Sequence, residues 1–164
     1  MTVYTTLNEI REHKPCEDGW KALLKGLNKS KADNDPLALT TILDINGLND
    51  AVWTLRTVED EKLVRLFAVA CCQDILHLIE DERSLNAVKI AHLYCHGEAT
   101  KDELEFAYNA VIEINTAPAY TANINVHAVD YAVAYAAATY AVAYKVDYEG
   151  ARNRQERLFR IMFG

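Results

Sequence analysis

The sequence predicts an all-α fold, a compact bundle of about seven to nine helices, and three observations carry that expectation. Glycine and proline are scarce, 6 and 3 in 164 residues, so little of the chain is available for tight turns. Apolar residues recur at helical rather than strand spacing along most of the sequence. Cap signatures punctuate it at regular intervals. A short α-solenoid of helical hairpins is the alternative topology, although no fixed-period repeat is visible. The chain is read as a single helical domain over 1–164.

The elements follow in order. Thr6-Leu7-Asn8-Glu9 fits a capping box and opens a short helix that must stop before Pro15. A second helix, from about Glu17 to Leu27, places Trp20, Leu23, Leu24 and Leu27 on one face. Asn28–Asp35 is polar and unpatterned, a candidate mobile loop. Asp35-Pro36 reads as an N-cap with proline at the first helical position, and the helix it opens ends at Gly47. A short helix is expected around Asn49–Val58. From Asp60 to Glu80 the pattern is helical and apolar on nearly every side, which suits a central position. Asp81–His96 makes another helix, closed by Gly97. Thr100-Lys101-Asp102-Glu103 is a second capping box, opening a helix to about Asn115.

The C-terminal part is built differently. An Ala/Tyr-rich helix is expected at about 118–147, and an amphipathic tail at 150–164. At 100° per residue, Tyr131, Tyr135, Val142 and Val146 share one side of that helix. Val129, Val133, Tyr140 and Tyr144 share the other, so the helix is expected to be gripped from two sides. Alternation such as Ala-Val-Ala-Tyr also admits a strand, but the alanine content favours helix. In the tail, Leu158, Ile161 and Met162 form one face, with Phe159 and Phe163 adjoining it.

Composition narrows the function. A net charge of −7 repels phosphate, which argues against nucleic acid as a partner. No uncharged apolar run reaches the roughly 18 residues of a membrane span, the longest candidate being Tyr131–Tyr144, and no signal-peptide pattern opens the chain. Cys16, Cys71, Cys72 and Cys95 show no disulfide-framework spacing, so free thiols in a reducing cytoplasm are expected.

Four groups of residues carry possible chemistry. His92 and His96, four apart on one helix face, are the best metal candidates, with His77 as a further imidazole. No spacing supplies the remaining ligands, and the absence of Glu after His92 excludes the His-Glu-x-x-His pattern. Cys71-Cys72 lies in the most apolar helix and reads as core. Arg56, Arg65, Glu80, Asp81, Glu82 and Arg83 form a polar cluster that suits acid–base work or a divalent ion. Helix punctuation and ion pairing explain that cluster equally directly, and more economically. In the tail, Arg157, Phe159, Arg160 and Phe163 offer a partner-binding face. With no Gly-rich phosphate loop or nucleophile elbow, no cofactor is expected.

Several stretches resemble a known family. They are Trp53-Thr-Leu-Arg56, Val64 through Cys72, His77 through Ser84, and Ala87–Gly97. Together they are similar to a helical module of uncharacterised tailed-phage proteins and of bacterial immunity-like proteins. Gly19-Trp20-Lys21, and Asp35-Pro36-Leu37 through Asn46-Gly47-Leu48, also resemble the phage versions. The likeness spans roughly residues 5–145, although the relatives more often use Trp where this chain uses Tyr. The family has no defined catalytic residues, so no residue role is carried over. The resemblance implies a cytoplasmic setting in a bacterial cell and a part in phage–host or toxin–immunity conflict. A non-enzymatic module binding a bacterial host or toxin protein is therefore the first expectation. A small helical metal-dependent enzyme and a self-assembling structural protein, a homo-oligomer, are the alternatives.

Overall fold

In the computed structural model, residues 2–73, 75–112 and 148–164 are described. Among them the chain is all-α except for one two-stranded ladder, as the sequence predicts. Eight α-helices are described: α1 (Leu7–Glu12), α2 (Glu17–Gly26), α3 (Leu39–Asn46), α4 (Leu48–Thr54), α5 (Glu61–Gln73), α6 (Glu82–His96), α7 (Lys101–Ile112) and α8 (Tyr148–Phe163). The ladder pairs β1 (Tyr4–Thr5) antiparallel with β2 (Leu37–Ala38). The Ala/Tyr stripes expected at 118–147 lie outside the described residues, as does any continuation of α7 toward Asn115. None of the described helices is long and apolar enough to cross a membrane.

The chain divides into two compact units. The first comprises residues 1–59 together with 159–164, and the second comprises 60–158.

The first unit is organised by local caps and one long-range ladder. Glu9 Oε2 accepts from the Thr6 amide at 2.8 Å, and Thr6 Oγ1 accepts from the Glu9 amide at 3.2 Å. This is the reciprocal capping box that the sequence announced. Leu7, Ile10, Leu23, Leu39, Ile42, Ala51, Val52 and Leu55 are buried beneath these elements. Gly47 stands between α3 and α4 with φ 82° and ψ 178°, a conformation open essentially to glycine alone.

Three local expectations are corrected here. Asp35-Pro36 does not open α3, because Leu37 and Ala38 are drawn out as β2 against Tyr4 and Thr5, and the helix begins at Leu39. The polar stretch 28–35 is tethered rather than loose. Lys29 Nζ reaches Asp33 at 2.7 Å and Asp35 at 2.8 Å, and Asn8 holds Asp33 and Asn34 by backbone and side chain. These two aspartates raise the Lys29 pKa through hydrogen bonds. In the tail, the buried face of α8 is Ala151, Gln155, Phe159 and Phe163, whereas Ile161 is 77% exposed. Spacing of four from 151 to 163 selects that face over the one through Leu158 and Ile161.

In the second unit, α6 packs against both α5 and α7. Small side chains at the contacts, Ala87, Ala91 and Cys95 on α6 and Ala107 on α7, are all buried and let the helices approach closely. The Cys95 thiol donates to the Lys62 carbonyl at 3.8 Å, a sulfur-length contact from α6 to α5. Gly97 closes α6 in the left-handed conformation, and Thr100 and Glu103 form the second capping box at the start of α7. The apolar run 60–80 is not one helix. Within it, α5 is described over Glu61–Gln73 and a 3-10 turn over Leu76–Leu78, with Ile75 and Ile79 buried and His77 exposed.

Candidate functional site

Within the first unit, α2, α3 and α4 enclose a cleft with a cavity of about 90 Å³. Its construction starts at Pro15, which lacks an amide donor and forces a new helix start. Cys16 is the N-cap of α2, and its Sγ accepts from the Gly19 amide at 3.4 Å. One turn on, Trp20 and Leu23 line the cleft, with Ile10 from α1 and Ile42 from α3 completing its apolar walls. From α4 come Asp50, Trp53 and Thr54, which share one face because they lie three and four residues apart.

The inner polar end is a cross-brace between the three helices. Asn46 Nδ2 donates to the Gly19 carbonyl at 2.8 Å and to Asp50 Oδ2 at 2.7 Å. Both partners are acceptors, which fixes the orientation of the amide and leaves Oδ1 as an acceptor. That oxygen is buried, and no donor reaches it among the described residues. A Cβ at Gly19 would lie 2.6 Å from Asp50 Oδ2, so a larger residue there would have to displace that carboxylate. Trp53 is held in place by Arg56, whose Nε donates to the Trp53 carbonyl at 2.6 Å. The guanidinium stacks 4.1 Å from the indole centroid.

The volume decides what the cleft can hold. Pockets for cofactors and drug-sized molecules occupy about 300–1,000 Å³, and a cavity of about 150 Å³ holds one benzene ring. A cavity of about 90 Å³ therefore suits the tip of a single side chain or a few waters.

The residues singled out in the sequence lie elsewhere. Asp81 is the N-cap of α6: its Oδ2 accepts from the Ser84 amide at 2.7 Å, and Arg83 Nε meets Oδ1 at 3.3 Å. The Ser84 amide holds the Asp81 carboxyl below the usual carboxylate range. Glu80 and Glu82 are exposed beside it. Arg65 is buried, with its guanidinium 5.4 Å from the Tyr94 ring centroid and 3.9 Å from Glu61. Arg56 belongs to the first unit, and Arg65, Glu80, Asp81, Glu82 and Arg83 to the second.

The rings of His92 and His96 lie with centroids 4.5 Å apart and planes tilted by 52°. Among the described residues, however, no three His, Cys, Asp or Glu side chains converge on a metal-sized site, and so His77, His92 and His96 do not assemble one. Burial pushes the Cys72 thiol up to about 12 and raises that of Cys95 as well, which keeps both in their poorly nucleophilic protonated forms.

The expected partner face is corrected at two positions. Phe159 and Phe163 are fully buried, their rings 4.7 Å apart, because they complete the core of the first unit. Arg160 pairs with Asp44 at 2.7 Å on the surface, and Arg157 is exposed.

Sequence reading missed the cleft because its residues come from four separate segments. One signal pointed there: Gly19 sits inside an otherwise helical pattern, and such a glycine usually marks a close packing contact. No family model, curated protein or solved structure matches the chain.

Proposed function

We propose that this chain is a non-enzymatic protein-binding module, and that the cleft between α2, α3 and α4 receives a side chain of the partner. The observation that carries this reading is the cleft itself: two tryptophans and aliphatic walls around a cavity of about 90 Å³ that ends in a polar brace. Interface energy concentrates at a few well-packed, desolvated pockets, with tryptophan enriched among the residues that contribute it. The buried, protonated thiols of Cys72 and Cys95 agree with a packing role for these residues. The resemblance to tailed-phage and immunity-like proteins supports the setting: a bacterial cytoplasm, with a host or toxin protein as partner and inhibition as the outcome. That setting rests on the resemblance alone, which is an argument by association.

Cys16 provides the test without a mutation. It is the exposed thiol at the cleft mouth, while Cys71, Cys72 and Cys95 are buried, so mild alkylation modifies it selectively. Affinity capture from a bacterial lysate should retain one protein stoichiometrically on the native chain and lose it on the alkylated chain. Capture of no stoichiometric partner by the native chain overturns the proposal. A second reading, self-association, is favoured by Ile161 and Phe106, which are 77% and 76% exposed. Light scattering tests it, and a strictly monomeric mass at high concentration rejects it.

A further inference from the structure

The histidine pair on α6 is the closest approach of two metal-ligating rings outside the cleft, and what it offers is independent of the cleft. His92 and His96 stand one helical turn apart, so their side chains leave the same face of α6. Their ring centroids lie 4.5 Å apart, with the planes tilted by 52°. His96 is exposed and His92 half-buried, which leaves the pair open to an ion from solvent. The χ2 torsion of histidine has broad wells, so a modest turn of each ring aims one nitrogen at a shared point.

The separation indicates which geometry such a point would have. Metal–nitrogen bonds measure about 2.0–2.1 Å, and each ring centroid lies about 1.2 Å beyond its nitrogen. Two imidazoles on one ion then have centroids about 4.5–4.6 Å apart at a right angle and about 5.2–5.3 Å apart at the tetrahedral angle. The spacing of 4.5 Å is that of two ligands at a right angle. Right-angled positions belong to the tetragonal and octahedral coordination of Cu²⁺ and Ni²⁺, both of which accept imidazole.

The surroundings favour a cation. His96 is in the last turn of α6, where the negative end of the helix dipole lies, and the chain as a whole carries a net charge of −7. The backbone under the pair is held at both ends, by the Asp81 cap and by Gly97, and α6 packs against α5 and α7. The two ring positions are therefore largely set before an ion arrives, which lowers the ordering cost of binding. Among the described residues no third His, Cys, Asp or Glu side chain converges on them.

We propose that His92 and His96 form an open two-nitrogen chelate for a divalent transition-metal ion of the Cu²⁺ or Ni²⁺ type. The remaining coordination positions are left to water or to a donor from outside the chain.

The test uses the intact chain with Cys16 alkylated, so that the exposed thiol does not take the metal. Ni²⁺ titrated by calorimetry should bind at one site per chain, and more tightly than Zn²⁺. His92→Ala and His96→Ala should each weaken Ni²⁺ at least about tenfold, because the second ligand of a chelate acts at a high effective concentration. The double variant should bind within about twofold of either single variant, since one substitution already abolishes the chelate. Cu²⁺ on the unsubstituted chain supplies a reading that no loss of folding in a variant can disturb. Its electron paramagnetic resonance spectrum should carry hyperfine coupling from two imidazole nitrogens. Single substitutions that leave Ni²⁺ binding unchanged, losses that add in the double variant, coupling to one nitrogen or none, or tighter binding of Zn²⁺ than of Ni²⁺ would each overturn the proposal.

Discussion

Gly26, at the end of α2, makes a prediction whose sign opposes the usual rule. Glycine to alanine within a helix ordinarily stabilises by up to about 1 kcal/mol, because alanine has less backbone freedom to lose. Here a Cβ would lie 2.5 Å from Ile45 Cγ2, and 3.1 Å from both Cδ1 and Cγ1. Isoleucine is branched at Cβ and held to few χ1 rotamers, so it cannot simply rotate out of the way. Relieving such overpacking costs about 1–3 kcal/mol. The clash exceeds the propensity gain, and Gly26→Ala should destabilise the protein by about 1 kcal/mol.

The cause can be isolated by a double-mutant cycle. In an Ile45→Ala background the obstructing atoms are gone, and Gly26→Ala should then stabilise by about 0.5–1 kcal/mol. Urea unfolding of the four proteins, with slopes checked for constancy, gives the coupling, expected at about 1–3 kcal/mol. If Gly26→Ala stabilises both backgrounds equally, the inferred packing of α2 on α3 is wrong.

Three further outcomes are expected. Gly47→Ala should destabilise by about 1–3 kcal/mol in a thermal melt, through backbone strain alone, since no atom lies within 4 Å of the new methyl position. Phe159→Ala should cost about 3–5 kcal/mol in chemical denaturation, because the ring is fully buried; a loss under 1 kcal/mol would place it outside the core. Cys72 should make stability fall with alkaline pH. Its thiol ionises near its ordinary value of 9.0 in the unfolded chain but only at about 12 in the fold, so across that window the unfolded state alone releases the proton. Stability from this group is complete below pH 9 and declines by about 1.4 kcal/mol per pH unit above it. Cys72→Ala should have a correspondingly shallower alkaline slope, and identical slopes would refute the burial argument.

What was legible in the sequence was local. The boxes at Thr6–Glu9 and Thr100–Glu103 and the stops at Gly47 and Gly97 depend on residues within one turn of each other. Each is found where the spacing placed it. The misreadings were non-local. Asp35-Pro36 has the form of a helix start, but the residues after it are claimed by Tyr4 and Thr5, more than thirty positions earlier. The 3-10 turn at Leu76–Leu78 carries no Gly or Pro to announce it, and it accompanies the burial of Ile75 and Ile79 on either side.

The same distinction separates the expected sites from the cleft. Histidines, cysteines and charged runs stand out in a sequence because their chemistry is carried one residue at a time. Asn46, Asp50 and Gly19 acquire significance only through the hydrogen bonds that join three helices. Phe159 and Phe163 looked like a docking face because periodicity marks an apolar side without saying which part of the chain covers it.

The composition of the first unit has a consequence for the order of events during synthesis. Residues 159–164 belong with residues 1–59, and Phe159 and Phe163 are fully buried. The Val3 amide donates to the Phe163 carbonyl at 3.1 Å, which ties the residue before β1 to the last turn of α8. A ribosome must therefore translate the roughly one hundred intervening residues before the first unit can complete its core, a delay of about 5–20 s at ordinary elongation rates. The second unit, continuous in sequence, is under no such constraint. The nascent first unit thus waits with its apolar positions for Phe159 and Phe163 unfilled until that segment has been made.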